Sequence, residues 1–397
     1  MNKHFFRLSC CFFIAAILSS CSGNQKAAPK TENGMTVIPF ESAVQDEREL
    51  SMSDLVANVD YIPLQTDSNC LVGNLWDNGV VRSSKYFFLA VGDNLLQYAL
   101  DGKFIRVLGG IGGGPGEYNW ISDIDVNDRS QRLFVGDIGK INVYDTEPGD
   151  FICSYPTNDE TFQFKVKNDS TLFRFLYNST GKVATRVLIS DAHGDTLRAY
   201  PRHDLFDVEE GMVFMIGSSD DRFMYRCGDD ICYRENYNDT IFTVTEQELI
   251  PRYVFDLGKY HLPSDYRFEL LGDDDKFNSL ASSYLSIHPI EVADFVFIPY
   301  AYWAGEGKRE NMMAIYDKRK NECYKVAGGA LKNDMDGLFD FRPAIALDDY
   351  TLLKVVQASQ VLRYAEKNPS VLENERLKNL QEDDNPVLMV VTLKQQP

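Results

Sequence analysis

Tyr98-Ala-Leu-Asp101-Gly102-Lys103-Phe104-Ile105 reads as strand, tight turn, strand. Aromatic and branched apolar residues flank an Asp-Gly pair, which turns a chain back on itself. The unit recurs. Tyr144-Asp145-Thr-Glu-Pro-Gly149-Asp150-Phe151-Ile152 repeats it with a longer turn, and Ile189-Ser-Asp191-Ala-His-Gly194-Asp195-Thr-Leu197 repeats it again. The turn aspartates Asp101, Asp145 and Asp191 are 44 and 46 residues apart. A period of about 40–50 residues, with several strands in each, is the spacing of propeller blades.

Outward from this repeat the pattern weakens but continues. Asp239-Thr-Ile-Phe-Thr-Val-Thr245 precedes a turn near residue 246, and Ile315-Tyr316-Asp317 with Cys323-Tyr324 brackets one near 318. Pro386-Val-Leu-Met-Val-Val-Thr-Leu393 is a closing strand, and Val59-Asp-Tyr-Ile-Pro-Leu64 opens the ring. Short alternating runs such as Arg132-Leu-Phe-Val-Gly136 and Phe295-Val-Phe-Ile298 fill the intervals. Five turns and a shared closing blade predict an all-β, six-bladed β-propeller. Helical insertions are expected over Pro263–Leu271, after a cap-like Ser264, and from about 357 to 381 with a break at Pro369.

The N-terminus reads as an export signal. Lys3 and Arg7 precede an apolar run from Leu8 to Leu18, too short to span a bilayer, for which about 20 residues are needed. Leu18-Ser19-Ser20-Cys21 resembles the bacterial lipobox. That resemblance implies a diacylglyceryl thioether on Cys21, cleavage before it and acylation of the new N-terminus. Two or three acyl chains make a durable anchor. The expected organisation is a lipoprotein signal peptide over 1–20, a lipidated flexible tether over 21–35, and the propeller over 36–397. The expected location is the outer membrane, facing the periplasm or the cell surface, with the lipid as the sole membrane contact.

The chain carries 40 basic and 59 acidic side chains, a net charge of −19, and loss of Lys3 and Arg7 with the signal leaves −21. Such a charge repels phosphate backbones, so no nucleic-acid partner is expected. About 350 residues exceed most single cores, but a propeller gives each unit its own.

Further segments carry a family resemblance. Asp60-Tyr61-Ile62-Pro63-Leu64, Asp101-Gly102-Lys103-Phe104-Ile105, Gly112-Gly-Gly-Pro115-Gly116-Glu117-Tyr118, Tyr237-Asn-Asp239-Thr240-Ile241-Phe242 and Asn385-Pro386-Val387-Leu388 resemble the six-bladed β-propeller lipoproteins of gut anaerobes, related to the NHL repeat. The resemblance covers roughly residues 55 to 395. It implies fold and export and no particular activity.

Few motifs point to chemistry. Gly109–Tyr118 has neither dinucleotide spacing nor a following Lys-Ser/Thr for a phosphate loop, and Glu117 would repel phosphate. It reads as a connection between blades, with Glu117, Tyr118 and Trp120 as structural plugs or rim contacts. Asp123-Ile-Asp125-Val-Asn127-Asp128 starts like a calcium loop, but Asp128 stands where glycine and Phe134 where glutamate is required. His193, His203, His261 and His288 have no metal-ligand spacing, so neither a metal nor a cofactor is expected. Cys227-Gly-Asp-Asp-Ile-Cys232 would oppose its two thiols across a hairpin if Asp229-Asp230 formed the turn, and a disulfide is expected there. Pro299-Tyr300-Ala-Tyr302-Trp303-Ala-Gly305-Glu-Gly307 gathers aromatics beside glycines, which suits stacking on a sugar or anchoring a peptide. A composite rim site is predicted, with Tyr302 and Trp303 stacking and Glu117, Tyr118, Trp120 and Arg252 as neighbours. Arg252, after Pro251 in an expected blade connection, would pair with a ligand carboxylate. The reading is a non-catalytic binding module for a glycan, peptide or envelope partner. The alternative is a propeller enzyme, a lyase or glycoside hydrolase, acting at the central channel.

Overall fold

Leu133-Phe134-Val135 shows how the ring is built. Leu133 and Val135 pack toward one neighbouring sheet and Phe134 toward the other. Phe295 and Phe297 alternate with Val296 and Ile298 in the same way. Side chains on a strand alternate faces, so a strand buried on both sides must be apolar throughout. Each neighbouring pair of blades shares one such apolar cluster, and the interior is divided into interfaces around the ring.

The computed structural model describes residues 29–395 apart from 33, 74, 76, 158, 160, 209–210, 212, 214–221, 272–273 and 304–311. The expected signal peptide and Cys21 lie outside the described residues. Among those described, no helix is long and apolar enough to cross a membrane.

Six antiparallel sheets form the blades. Blade 1 runs Val80–Arg82, Tyr86–Val91, Asn94–Ala99 and Phe104–Leu108 from axis to edge. Blade 2 runs Ile124–Asn127, Arg132–Asp137, Lys140–Asp145 and Phe151–Pro156. Blade 3 runs Thr161–Asn168, Thr171–Leu176, Thr185–Asp191 and Thr196–Pro201. Blade 4 runs Met224–Cys227, Asp230–Tyr233, Thr240–Val244 and Leu249–Phe255. Blade 5 has Leu285–Ile287 and Ile290–Glu291 innermost, then Phe295–Tyr302, Met312–Asp317 and Glu322–Val326. Blade 6 takes Ile345–Asp348, Thr351–Val356 and Val387–Leu393 from the C-terminal part and its outer strand, Val56–Pro63, from the N-terminal part. Met389 faces Tyr61 and Val391 faces Val59 in that closing pair.

The repeating turns near 101, 145, 191, 246 and 318 all join third to fourth strands. Blade 6 has no such turn, because its fourth strand comes from the other end of the chain. Gly102 shows why the short turn wants glycine. Its φ is +90°, and a Cβ there would come within 2.2 Å of Pro63 O in the closing strand.

Before it reaches blade 6, the N-terminal segment straps two other blades. Lys30–Glu32 pairs with Met35–Ile38, which runs parallel to the outer strand of blade 4, and Glu47–Arg48 runs parallel to that of blade 5. Among the described residues strand pairing begins at Lys30, within the stretch expected as tether. Helical insertions are present. Ser264–Leu271 is 3-10 helix and Asp274–Ala281 α-helix, both between blades 4 and 5. Ala358–Ala365 is α-helix and Pro369–Glu373 3-10 helix, both inside blade 6.

Cys227 and Cys232 are free thiols, which corrects the expected disulfide. Gly228, at φ +59°, takes the first turn position, so the turn is Gly228-Asp229 and Cys227 opposes Asp230 while Cys232 opposes Tyr225. The two cysteines are diagonal neighbours, a relation that separates Cα atoms by about 7–8 Å, too far for a bridge without backbone movement.

Candidate functional site: the axial channel and its upper face

Strands alternate in direction, so turns joining second to third strands share one face with the connections between blades. We call this face upper. The inner strands of all six blades line an axial channel of about 910 Å³. Among the described residues its wall carries seven cations, Arg82, Lys165, Arg222, Arg226, Arg234, Arg342 and Lys354, against six carboxylates, Asp77, Asp125, Asp128, Glu291, Asp348 and Asp349. That balance is near zero in a chain of net charge −19.

At the lower mouth the charges are paired. Arg82 donates to Asp348, and Gly228 N donates to Asp349 Oδ1 at 2.6 Å. Midway, Arg226 Nη2 lies 2.9 Å from Asp125 Oδ2, and Lys165 Nζ lies 3.1 Å from Asp123 Oδ2. Near the upper mouth Arg222 reaches from blade 4 across the channel and donates to Asn78 O at 3.0 Å, just ahead of the inner strand of blade 1. Burial lowers its pKa, against the opposing fields of Asp123, Asp77 and Asp125.

Between blades 4 and 5 lies a buried ionic knot. Glu291 Oε1 accepts from Arg252 Nε at 3.0 Å, Lys318 Nζ at 2.7 Å and the Tyr253 hydroxyl at 3.0 Å, and its Oε2 accepts from the Tyr225 hydroxyl at 3.0 Å. Burial pushes the Glu291 pKa up, but Lys318 and Arg252 outweigh it and hold the carboxyl below its usual range. Burial also pushes the Cys227 thiol up to about 12. A saturated carboxylate held ionised is a poor general acid or base at neutral pH. Among the described residues no group of three His, Cys, Asp or Glu side chains is placed to hold a metal ion.

The residues expected at the rim are distributed differently. Arg252 is inside the outer strand of blade 4, not in a connection, and its guanidinium is held by Glu291 and by Asp230 at 2.6 Å. This corrects its expected role toward a ligand carboxylate. Tyr118 is 1% exposed, and its hydroxyl donates to Leu108 O at 2.9 Å. Glu117 turns its carboxylate back onto Gly114 N at 2.8 Å, and its carbonyl accepts from Lys140 Nζ and Asn142 Nδ2. These two residues shape the connection. Trp120 is 49% exposed, with its backbone N–H held by Asp137 Oδ1 at 3.2 Å.

Trp303 stacks on Tyr237 at 4.7 Å between centroids and 13° between planes, and packs toward Phe277 and Leu262 of the inserted segment. Tyr302 is 40% exposed. The loop beyond, 304–311, lies outside the described residues. Trp120 precedes blade 2 and Trp303 follows the second strand of blade 5, so strand alternation puts both on the upper face. Blades 2 and 5 stand opposite each other in the ring of six. Beside Tyr237, between blades 3 and 4, is an upper-face cleft of about 220 Å³ lined by Tyr177, Phe206, Arg186 and Arg202.

The channel cations escaped sequence reading because they are spread over blades 1, 3, 4 and 6 and none of them belongs to a local motif. The available signal was positional: Arg82, Lys165, Arg222, Arg226 and Arg342 fall in or just before an inner strand, the first to follow an outer strand, while Lys354 lies in a second strand and Arg234 just after one.

Fold and channel together define a six-bladed β-propeller with a polar axial channel. The chain belongs to the family described as a domain of unknown function, DUF4934, which matches residues 35–392. Among solved structures it is similar to a "putative exported protein" of Bacteroides fragilis NCTC 9343, with 19% identity and a TM-score of 0.68, covering 90% of this chain and 100% of that one. A DUF4221 family member from Bacteroides vulgatus ATCC 8482 is 11% identical with a TM-score of 0.49, covering 86% and 97%. Among curated proteins none matches its sequence.

Proposed function

We propose that this chain is an exported, lipid-anchored binding module of the outer membrane, kin to NHL-type propellers, whose ligand enters the axial channel from the upper face. One observation carries the reading: a channel of about 910 Å³ concentrates cations in a strongly acidic chain. Its size is within the range that encloses small ligands. The ligand is a glycan, a peptide or part of an envelope partner. The stacking groups foreseen at Tyr302 and Trp303, and their foreseen neighbour Trp120, belong to its approach. Glu291, the most buried channel carboxylate, is fully engaged in structural bonds, which favours binding over catalysis.

The test is a screen of the full chain in detergent against arrays of oligosaccharides and short peptides, followed by hydrogen-exchange footprinting with each hit. Protection of 222–227 and 342–356 is expected. A footprint confined to outer strands would overturn the reading.

A further inference from the structure

We propose that Arg342 and Lys354 form an anion site in the upper channel that takes the oxyanion head of a small ligand carrying one or two negative charges. The proposal rests on the channel being the binding site and adds the chemistry of what enters it.

Arg342 leads into the inner strand of blade 6, Ile345–Asp348, and Lys354 lies on the adjoining strand, Thr351–Val356. Ile345 pairs with Leu353, so both cations come from the same end of one hairpin. Both line the channel. Among the described residues neither has a hydrogen bond or ion pair to a protein group, whereas Arg82, Lys165, Arg222 and Arg226 each have a protein acceptor. Arg342 Nε is buried and without an acceptor. A buried donor left unmade is destabilising, and two like charges close together add to that. Burial lowers the pKa of both side chains; for Lys354, Asp77 and Asp340 oppose the shift and the Arg342 charge adds to it. An oxyanion between them would answer both defects, since a guanidinium offers paired donors and an ammonium a point charge. The carboxylates elsewhere in the channel would repel a dense polyanion, which limits the ligand to a low charge.

Calorimetry and thermal shift on the full chain in detergent would use inorganic phosphate, inorganic sulfate, glucuronate, glucose 6-phosphate, glucose 6-sulfate and neutral glucose. At least one anion should bind, with affinity falling as salt rises, and glucose should not. The three sugar derivatives distinguish carboxylate, phosphate and sulfate as the head group. Arg342→Gln and Lys354→Gln should each weaken that binding about tenfold or more. Both apo variants should melt no lower than the wild type, because each loses an unpaired cation. Lys354→Met, of similar length, serves if Lys354→Gln fails to fold. Failure of every anion at millimolar concentration, equal binding of glucose, or undiminished binding by the variants would overturn the proposal. A neutral array hit that protects the channel would sink this inference and leave the binding-module reading standing.

Discussion

Glu291 is the residue on which the blade 4–5 interface turns. Two cations and two tyrosine hydroxyls converge on a carboxylate with no exposed side-chain surface. Glu291→Gln should destabilise the protein at pH 7 by about 3–5 kcal/mol, because Arg252 and Lys318 would be left without their counter-charge. The folded pKa lies below the ordinary glutamate value of about 4.3, so this stabilisation is complete above that pH and is lost as pH falls through the folded value. Urea melts of wild type and variant at pH 7 and along an acid series check both statements. Equal stability at pH 7, or an unchanged loss below about pH 4.3, would refute the assignment. Residue types were legible here but partners were not. Arg252 looks the same in sequence whether it meets a ligand or Glu291, 39 positions away. The Cys227–Cys232 pairing failed on a single position of turn register, since sliding a hairpin by one residue changes every opposed pair.

At the scale of elements, the N-terminal strap does what edge protection requires. It covers the outer strands of blades 4 and 5, which would otherwise present unpaired backbone groups. Phe40 pins it: fully buried, it meets Phe255 and Tyr300 edge to face, with centroids 6.3 and 5.3 Å away. Phe40→Ala should cost about 3–5 kcal/mol. It should also raise amide exchange in 35–38 and 249–255 more than in blades 1 to 3. Uniform exchange changes around the ring would show that the strap is not a separate cooperative unit. Long blade strands were legible because alternation and turn residues recur within a few positions. The strap was not, because its strands are two to four residues long and the two that meet blades 4 and 5 pair with segments more than 200 residues away.

At the scale of the molecule, the proposed anchor has a geometric consequence. Nine residue steps lead from Cys21 to Lys30, the first paired strand residue among those described, a reach of about 30 Å when fully extended. An anchor at Cys21 would therefore hold the edge of blade 4 near the membrane. Cys21→Ala should move the protein from the membrane fraction to the soluble fraction. Retention of the variant in membranes, at the wild-type level, would show that another feature anchors it.

By itself the sequence determined the ring: the turn period near 45 residues and the short strand runs between turns are local patterns, each set by side-chain alternation or turn chemistry. Only the tertiary structure decided which charges meet. Closing six blades on one axis brings Arg222 to Asn78, Arg252 to Glu291, and Arg342 and Lys354 into one channel wall. Coulomb energy and desolvation depend on distance through space and on burial, and separation along the chain encodes neither.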